Sequence, residues 1–189
     1  NEKEYVEKGK NYKWSKNPFN NRCPRCKKYC KLYKHGYYER NYTNLYIGVN
    51  GKIYIRRYFC TECLKTISLL PIFCLKKMIL GFEHIFIAVY KILKRTTSIE
   101  EKVATINEEF EFKYMSKQQY YNYLNRFINN IPLIESFIRQ ENVTIEFIGE
   151  NRNKQKRVMG LLKYIKNEFT ELNNFLYKFY QKTNKTPIT

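Results

Sequence analysis

Six cysteines are the residues of this 189-residue chain best suited to chemistry, and four of them come as two pairs, Cys23-Pro-Arg-Cys26 and Cys60-Thr-Glu-Cys63. A C-x-x-C turn presents two thiolates from one tight loop, and two such turns supply the four soft ligands that tetrahedral zinc takes. Four thiolates leave no position open for water. The spacing therefore predicts one structural Zn2+, without a catalytic role, that contributes folding free energy of about 10 kcal/mol or more at neutral pH. Two tight pairs with no visible secretory segment fit a reducing compartment, which points to zinc rather than to disulfides. Cys30 and Cys74 stand outside the pairs and read as small buried residues, Cys30 with the alternatives of replacing a ligand or staying a free thiol. His35 reads as a strand-surface residue, because four thiolates complete the site without it.

Positioning the two pairs requires the intervening residues 27 to 59 to form a sheet. Lys31 to Tyr38 and Tyr42 to Phe59 are rich in Tyr, Ile and Val, and Asn50-Gly51 lies between Leu45-Tyr46-Ile47 and Ile53-Tyr54-Ile55 as a two-residue hairpin signal. A three-stranded antiparallel sheet is expected.

Charge gathers around the cysteines. The chain carries a formal +18, and residues 1 to 78 hold 18 Lys/Arg against 5 Glu. A polyanion is the expected partner, nucleic acid first. Lys and Arg alternate with Tyr, Trp and Phe over residues 10 to 40, pairing groups that contact phosphate with rings that stack on bases. Arg25, Lys27, Lys28, Lys31, Arg56 and Arg57 are the candidate phosphate contacts. All acidic residues are Glu, whereas metal-dependent phosphoryl-transfer sites cluster carboxylates with Asp prominent. The cluster Glu100, Glu101, Glu108 and Glu109 reads as helix-cap and solvent-facing charge, so no enzyme is expected. Lys76 and Lys77 interrupt the longest apolar region, so no membrane span is expected.

After Pro71 the hydrophobic period changes from 2 to 3.6, which sets a boundary near residues 71 to 78. Ile79, Phe82, Ile85, Phe86, Val89 and Leu93 share a first helical face. Ser98-x-x-Glu101 caps a second helix with Ile99, Val103, Ile106 and Phe110 on its stripe. Ser116 caps a third, with Tyr120, Leu124, Phe127 and Ile131 inward, and Pro132 opens a short fourth carrying Leu133, Ile134, Phe137 and Ile138. These short helices are the ingredients of a helix-turn-helix, with the third as reader. Its outward face holds Gln118, Asn122, Asn125 and Asn129 beside Lys117, Gln119 and Arg126, and amides suit adenine as Arg suits guanine. From Val158 to Phe179 apolar residues alternate in steps of four and three, which suits either a homodimer seam or packing on the preceding helices. Residues 143 to 148 alternate like a strand.

Taken together, Cys23-Pro-Arg-Cys26, His35-Gly36-Tyr37, Arg56-Arg57-Tyr58-Phe59-Cys60-Thr61-Glu62-Cys63-Leu64-Lys65-Thr66 and Leu69-Leu70-Pro71 resemble the zinc ribbon of bacterial insertion-sequence transposases. The region from Ser98 to Phe127 is similar to the helix-turn-helix that follows it. The resemblance implies Cys23, Cys26, Cys60 and Cys63 as zinc ligands and double-stranded DNA as the partner. Two departures stand out: Lys27 and Leu64 replace the glycine usual after each cysteine pair, and the transposase's carboxylate-bearing catalytic domain has no counterpart.

The expected fold is α+β. A basic aromatic N-terminal arm spans 1–19, a three-stranded antiparallel zinc ribbon 20–75, an all-α helix-turn-helix-like region 76–140, and a long C-terminal amphipathic helix 141–189. The expected function is zinc-dependent binding of double-stranded DNA by a cytoplasmic, nucleoid-associated regulator or accessory factor of a mobile element. Two other readings stay open: an RNA-binding ribbon, and a protein adaptor that docks through the C-terminal stripe.

Overall fold

The structure, a computed structural model, describes residues 2–14, 19–109, 115–141 and 153–188. It is α+β, and the chain divides into two compact units, Asn1–Leu80 and Gly81–Thr189. The strand-like stretch 143–148 and Phe110 of the second expected helix lie outside the described residues. None of the described helices is long and apolar enough to cross a membrane.

The first unit is built on a three-stranded antiparallel sheet in the order β1-β2-β3, with β1 at Leu32–Asn44, β2 at Val49–Cys60 and β3 at Lys65–Leu69. The hairpin between β1 and β2 does not turn at Asn50-Gly51. It turns through a 3-10 segment, Leu45–Ile47, closed by Gly48 at φ 73°, while Asn50 and Gly51 pair with Thr43 and Tyr42 inside the ladder. The reason is register. A turn at Asn50-Gly51 would place Cys60 opposite Asn41, whereas the observed turn places it opposite Leu32, close to the first cysteine pair. Cysteine clustering and strand burial therefore override the local dipeptide signal.

Burial along β2 changes sides. Ile53 and Ile55 join one apolar cluster with Tyr5, Tyr42, Phe73 and Cys74. Tyr58 and Cys60 are the buried residues further on, and Cys60 belongs to a second cluster with Cys23 and Ile67. Because strand side chains alternate, odd positions are buried in the first half and even positions in the second. Arg56 and Arg57 sit at the switch, both half-buried.

Residues 2–14 of the expected N-terminal arm pack on the sheet. Glu2–Lys8 forms helix α1, followed by a 3-10 turn at Gly9–Asn11. Tyr5 is 3% exposed, and its hydroxyl donates to the Tyr54 carbonyl at 2.5 Å. Tyr12 packs tilted against the Tyr5 ring at 4.9 Å and Trp14 edge-on to it at 5.4 Å. The buried Glu2 carboxylate accepts from Asn44 Nδ2 at 2.8 Å and from the Tyr42 hydroxyl. Tyr5, Tyr12 and Trp14 join Tyr38, Tyr42 and Phe73 in one apolar cluster, because six rings bury far more area packed together than in water.

In the second unit the helices are α2 (Phe82–Lys94), α3 (Ile99–Glu108), α4 (Lys117–Asn129), α5 (Ile131–Glu141), α6 (Lys154–Glu168) and α7 (Leu172–Thr183). Helix α2 starts three residues after Ile79, which is 55% exposed; its carbonyl accepts from the Thr43 N–H instead of opening the helix. The Ser98 hydroxyl caps α3 by accepting from Glu101 N. Ser116 and Gln119 make a reciprocal capping box on α4. Tyr120, Leu124, Phe127 and Ile131 are all buried.

Among the described residues, the expected long C-terminal helix is two helices, α6 and α7. The chain breaks at residues 169–171, where Phe169 and Glu171 are extended. Both halves of the stripe, Val158, Leu161, Leu162 and Ile165 on α6 and Leu172, Phe175, Leu176 and Phe179 on α7, are buried against α2, α4, α5 and one another. An unbroken helix over 154–183 would run about 45 Å, twice the length of α2 or α4, and could not cover its whole stripe on them.

Candidate metal centre and cationic surfaces

A short hairpin carries the first cysteine pair. Arg22 bridges Tyr29, Cys23 N–H donates to Lys28 O at 3.0 Å and Cys30 N–H to Asn21 O at 2.8 Å. Within the turn, Lys27 N–H reaches back to Cys23 O at 2.9 Å, and Cys26 N–H points at Cys23 Sγ at 3.4 Å. The second pair caps the β2–β3 turn. Lys27 and Leu64, each the residue after a pair, take left-handed backbone at φ 65° and 52°. Both loops thus have the shape that glycine favours without having the glycine.

The two loops bring Cys23, Cys26, Cys60 and Cys63 together, with all four Sγ atoms within 4.8 Å of one another. Across the set, Cys23 and Cys63 lie 3.9 Å apart, as do Cys26 and Cys60. Four sulfurs at about 2.3 Å from a zinc ion in a tetrahedron are separated by about 3.8 Å, so donor type and spacing fit that ion. Cys23 and Cys60 are fully buried. The backbone N–H of Cys63 holds the Cys60 thiol down at about 6, while burial pushes Cys63 up to about 12. A bound cation would favour the thiolate form across the set and displace its protons. Cys30, outside the set, lies 3.4 Å from Cys60 Sγ. Cys74 is buried with Phe73 and Tyr42 in the other cluster.

Arg25, Lys27, Lys28 and Lys31 are all exposed at this end of the sheet. Lys28 makes a loose pair with Glu62 at 3.4 Å, and Lys31 lies over the Tyr33 ring at 4.9 Å. Arg56 and Arg57 are more committed: Arg56 stacks on Tyr37 at 4.1 Å, and Arg57 donates to Thr66 Oγ1 at 2.7 Å. Of the rings between residues 10 and 40 that the sequence offered for base stacking, Tyr29 is 78% and Tyr33 47% exposed, and Leu64 beside the second pair is 69% exposed. Sequence reasoning did not foresee that Arg40 is structural, its guanidinium held by the carbonyls of Leu75 and Met78.

In the second unit, Lys117, Gln118, Asn122, Asn125 and Arg126 share the exposed face of α4. Gln118 Nε2 donates to Asn122 Oδ1 at 3.2 Å, Lys117 pairs with Glu100, and Arg126 donates to the Ile188 carbonyl at 3.2 Å. Glu109 pairs with Lys91 at 2.5 Å and Arg95 at 3.7 Å. Glu100 of α3 and Glu109 just past its end are thus engaged as ion-pair partners. No family model, curated protein or solved structure matches the chain.

Proposed function

We propose that this is a zinc-dependent double-stranded DNA-binding protein, a cytoplasmic, nucleoid-associated regulator or accessory factor of a mobile element, without catalytic activity. In this reading the first unit is a zinc ribbon and α3–α4 a helix-turn-helix. The observation that carries it is the pairing of the four-thiol cluster with a collar of exposed Arg25, Lys27, Lys28 and Lys31 in the half of the chain that holds 18 Lys/Arg against 5 Glu. A metal that fixes two loops fixes the cations on them, and a preordered cationic surface binds phosphate without a further ordering cost. Sequence preference would come from α4, whose exposed amides at Asn122 and Asn125 match adenine edges.

Selection from a randomised duplex pool tests this reading. An enriched motif for the wild type, lost on Asn122→Ala with Asn125→Ala while bulk affinity survives, is the expected result. Unaltered preference in that variant removes α4 from the role. The exposure of Tyr29 and Tyr33 favours a second reading, single-stranded RNA held by base stacking. Loss of all duplex binding to a single-stranded RNA competitor, with no motif, would select it.

A further inference from the structure

Cys30 has no place in a four-ligand site, yet it is held against one. Its backbone N–H is fixed to Asn21 O at 2.8 Å, and its side chain packs on the buried Cys23, Cys60 and Ile67. Its sulfur is 3.4 Å from Cys60 Sγ, closer than the 3.9 Å across the ligand set in the Cys23–Cys63 and Cys26–Cys60 pairs. A disulfide requires about 2.05 Å, an approach of about 1.4 Å that side-chain rotation can supply. The four ligand sulfurs would each be tied to the ion. Cys30 would not be, and it is half-buried rather than sealed.

We infer that Cys30 and Cys60 form a peroxide-sensitive pair whose disulfide removes one zinc ligand and releases the metal, switching off the cationic surface. The inference rests on the reading that the four thiols hold zinc. One sulfur attacks the peroxide O–O bond, giving a sulfenic acid and one water, and the other sulfur then displaces the second oxygen as water. Overall, the Cys30 thiol, the zinc-bound Cys60 thiolate, one hydrogen peroxide and one proton give the disulfide and two waters. Two electrons pass from sulfur to peroxide, and the ion is left on three thiolates. A dithiol reductant reverses the step.

The test treats the full zinc-loaded chain with hydrogen peroxide, reads zinc release with a chromophoric chelator, and maps disulfides by peptide mass spectrometry after alkylation. The wild type should release zinc with a Cys30–Cys60 link. Cys30→Ser and Cys30→Ala should start with the same zinc content and release it on the order of 10-fold more slowly, since neither has the second sulfur. Equal release rates, or a link confined to ligand cysteines such as Cys60–Cys63, would overturn the inference. Untreated protein that retains no zinc would instead overturn the zinc reading; the mapped link then still decides whether Cys30 and Cys60 are partners.

Discussion

Lys27 and Leu64 adopt matching left-handed backbone, φ 65° and 52°, each one residue past a cysteine pair. Side-chain residues pay roughly 1–2 kcal/mol for this conformation relative to the right-handed one, while glycine's extra unfolded freedom offsets part of any gain from replacing them. Leu64 is mostly exposed, so little packing is lost with its side chain. Leu64→Gly should raise the stability of the zinc-loaded first unit by about 0.5–1 kcal/mol, and Leu64→Val should lower it by a similar amount. Denaturant unfolding of the zinc-loaded protein reads both.

Metal removal should act on one unit and spare the other. The only tryptophan, Trp14, packs in the first unit, whereas helices α2 to α7 belong to the second. Chelation, or Cys60→Ser, should shift Trp14 emission and leave most of the ellipticity at 222 nm. Full zinc content with an unchanged thermal melt in Cys60→Ser would refute the ligand assignment.

Legibility in the sequence followed the range of the forces involved. The cysteine cluster was readable because ligand chemistry needs only residue type and spacing, and the caps at Ser98 and Ser116 because a cap spans three residues. The hairpin turn was misplaced because Asn50-Gly51 is a local signal, while the register answers to where Cys60 must lie. The α6–α7 break was hidden for a related reason: no Pro or Gly marks residues 169–171, and only the lengths of the neighbouring helices forbid a continuous one. The burial of Glu2 and Arg40 has no local signal, because their partners Tyr42, Asn44, Leu75 and Met78 are far away in sequence.

Arg157 and Glu135 tie α6 to α5. The Glu135 carboxylate, 8% exposed, accepts from Arg157 Nη2 at 2.7 Å and Nε at 3.3 Å. Arg157→Met would leave that carboxylate buried without its cation, and should destabilise the second unit by about 2–3 kcal/mol. Adding Glu135→Leu should recover much of the loss. Thermal melts followed at 222 nm report both, and a single variant as stable as wild type would contradict the pairing.

His84 makes the second unit acid-sensitive. Burial, reinforced by the Lys91 charge, holds its imidazole down at about 4, while the unfolded chain protonates near 6.5. Between those values the unfolded state binds the extra proton. The stability from keeping His84 neutral is therefore fully present above about pH 6.5 and is lost as the pH falls towards 4, on the order of 3 kcal/mol in all. Unfolding at pH 7 and pH 4.5 should differ less in His84→Gln than in wild type. Equal differences would place the acid sensitivity elsewhere.

The most direct measurement is the affinity for a random-sequence DNA duplex, taken as a function of salt for the zinc-loaded and the chelated protein. Engagement of Arg25, Lys27, Lys28, Lys31 and neighbouring cations on about five phosphates predicts a log-log slope near −4.5 for the loaded form. Chelation should flatten that slope and weaken binding at least about 10-fold. Affinity and slope that are the same with and without the metal, or no duplex binding at low salt, would contradict zinc-dependent DNA binding.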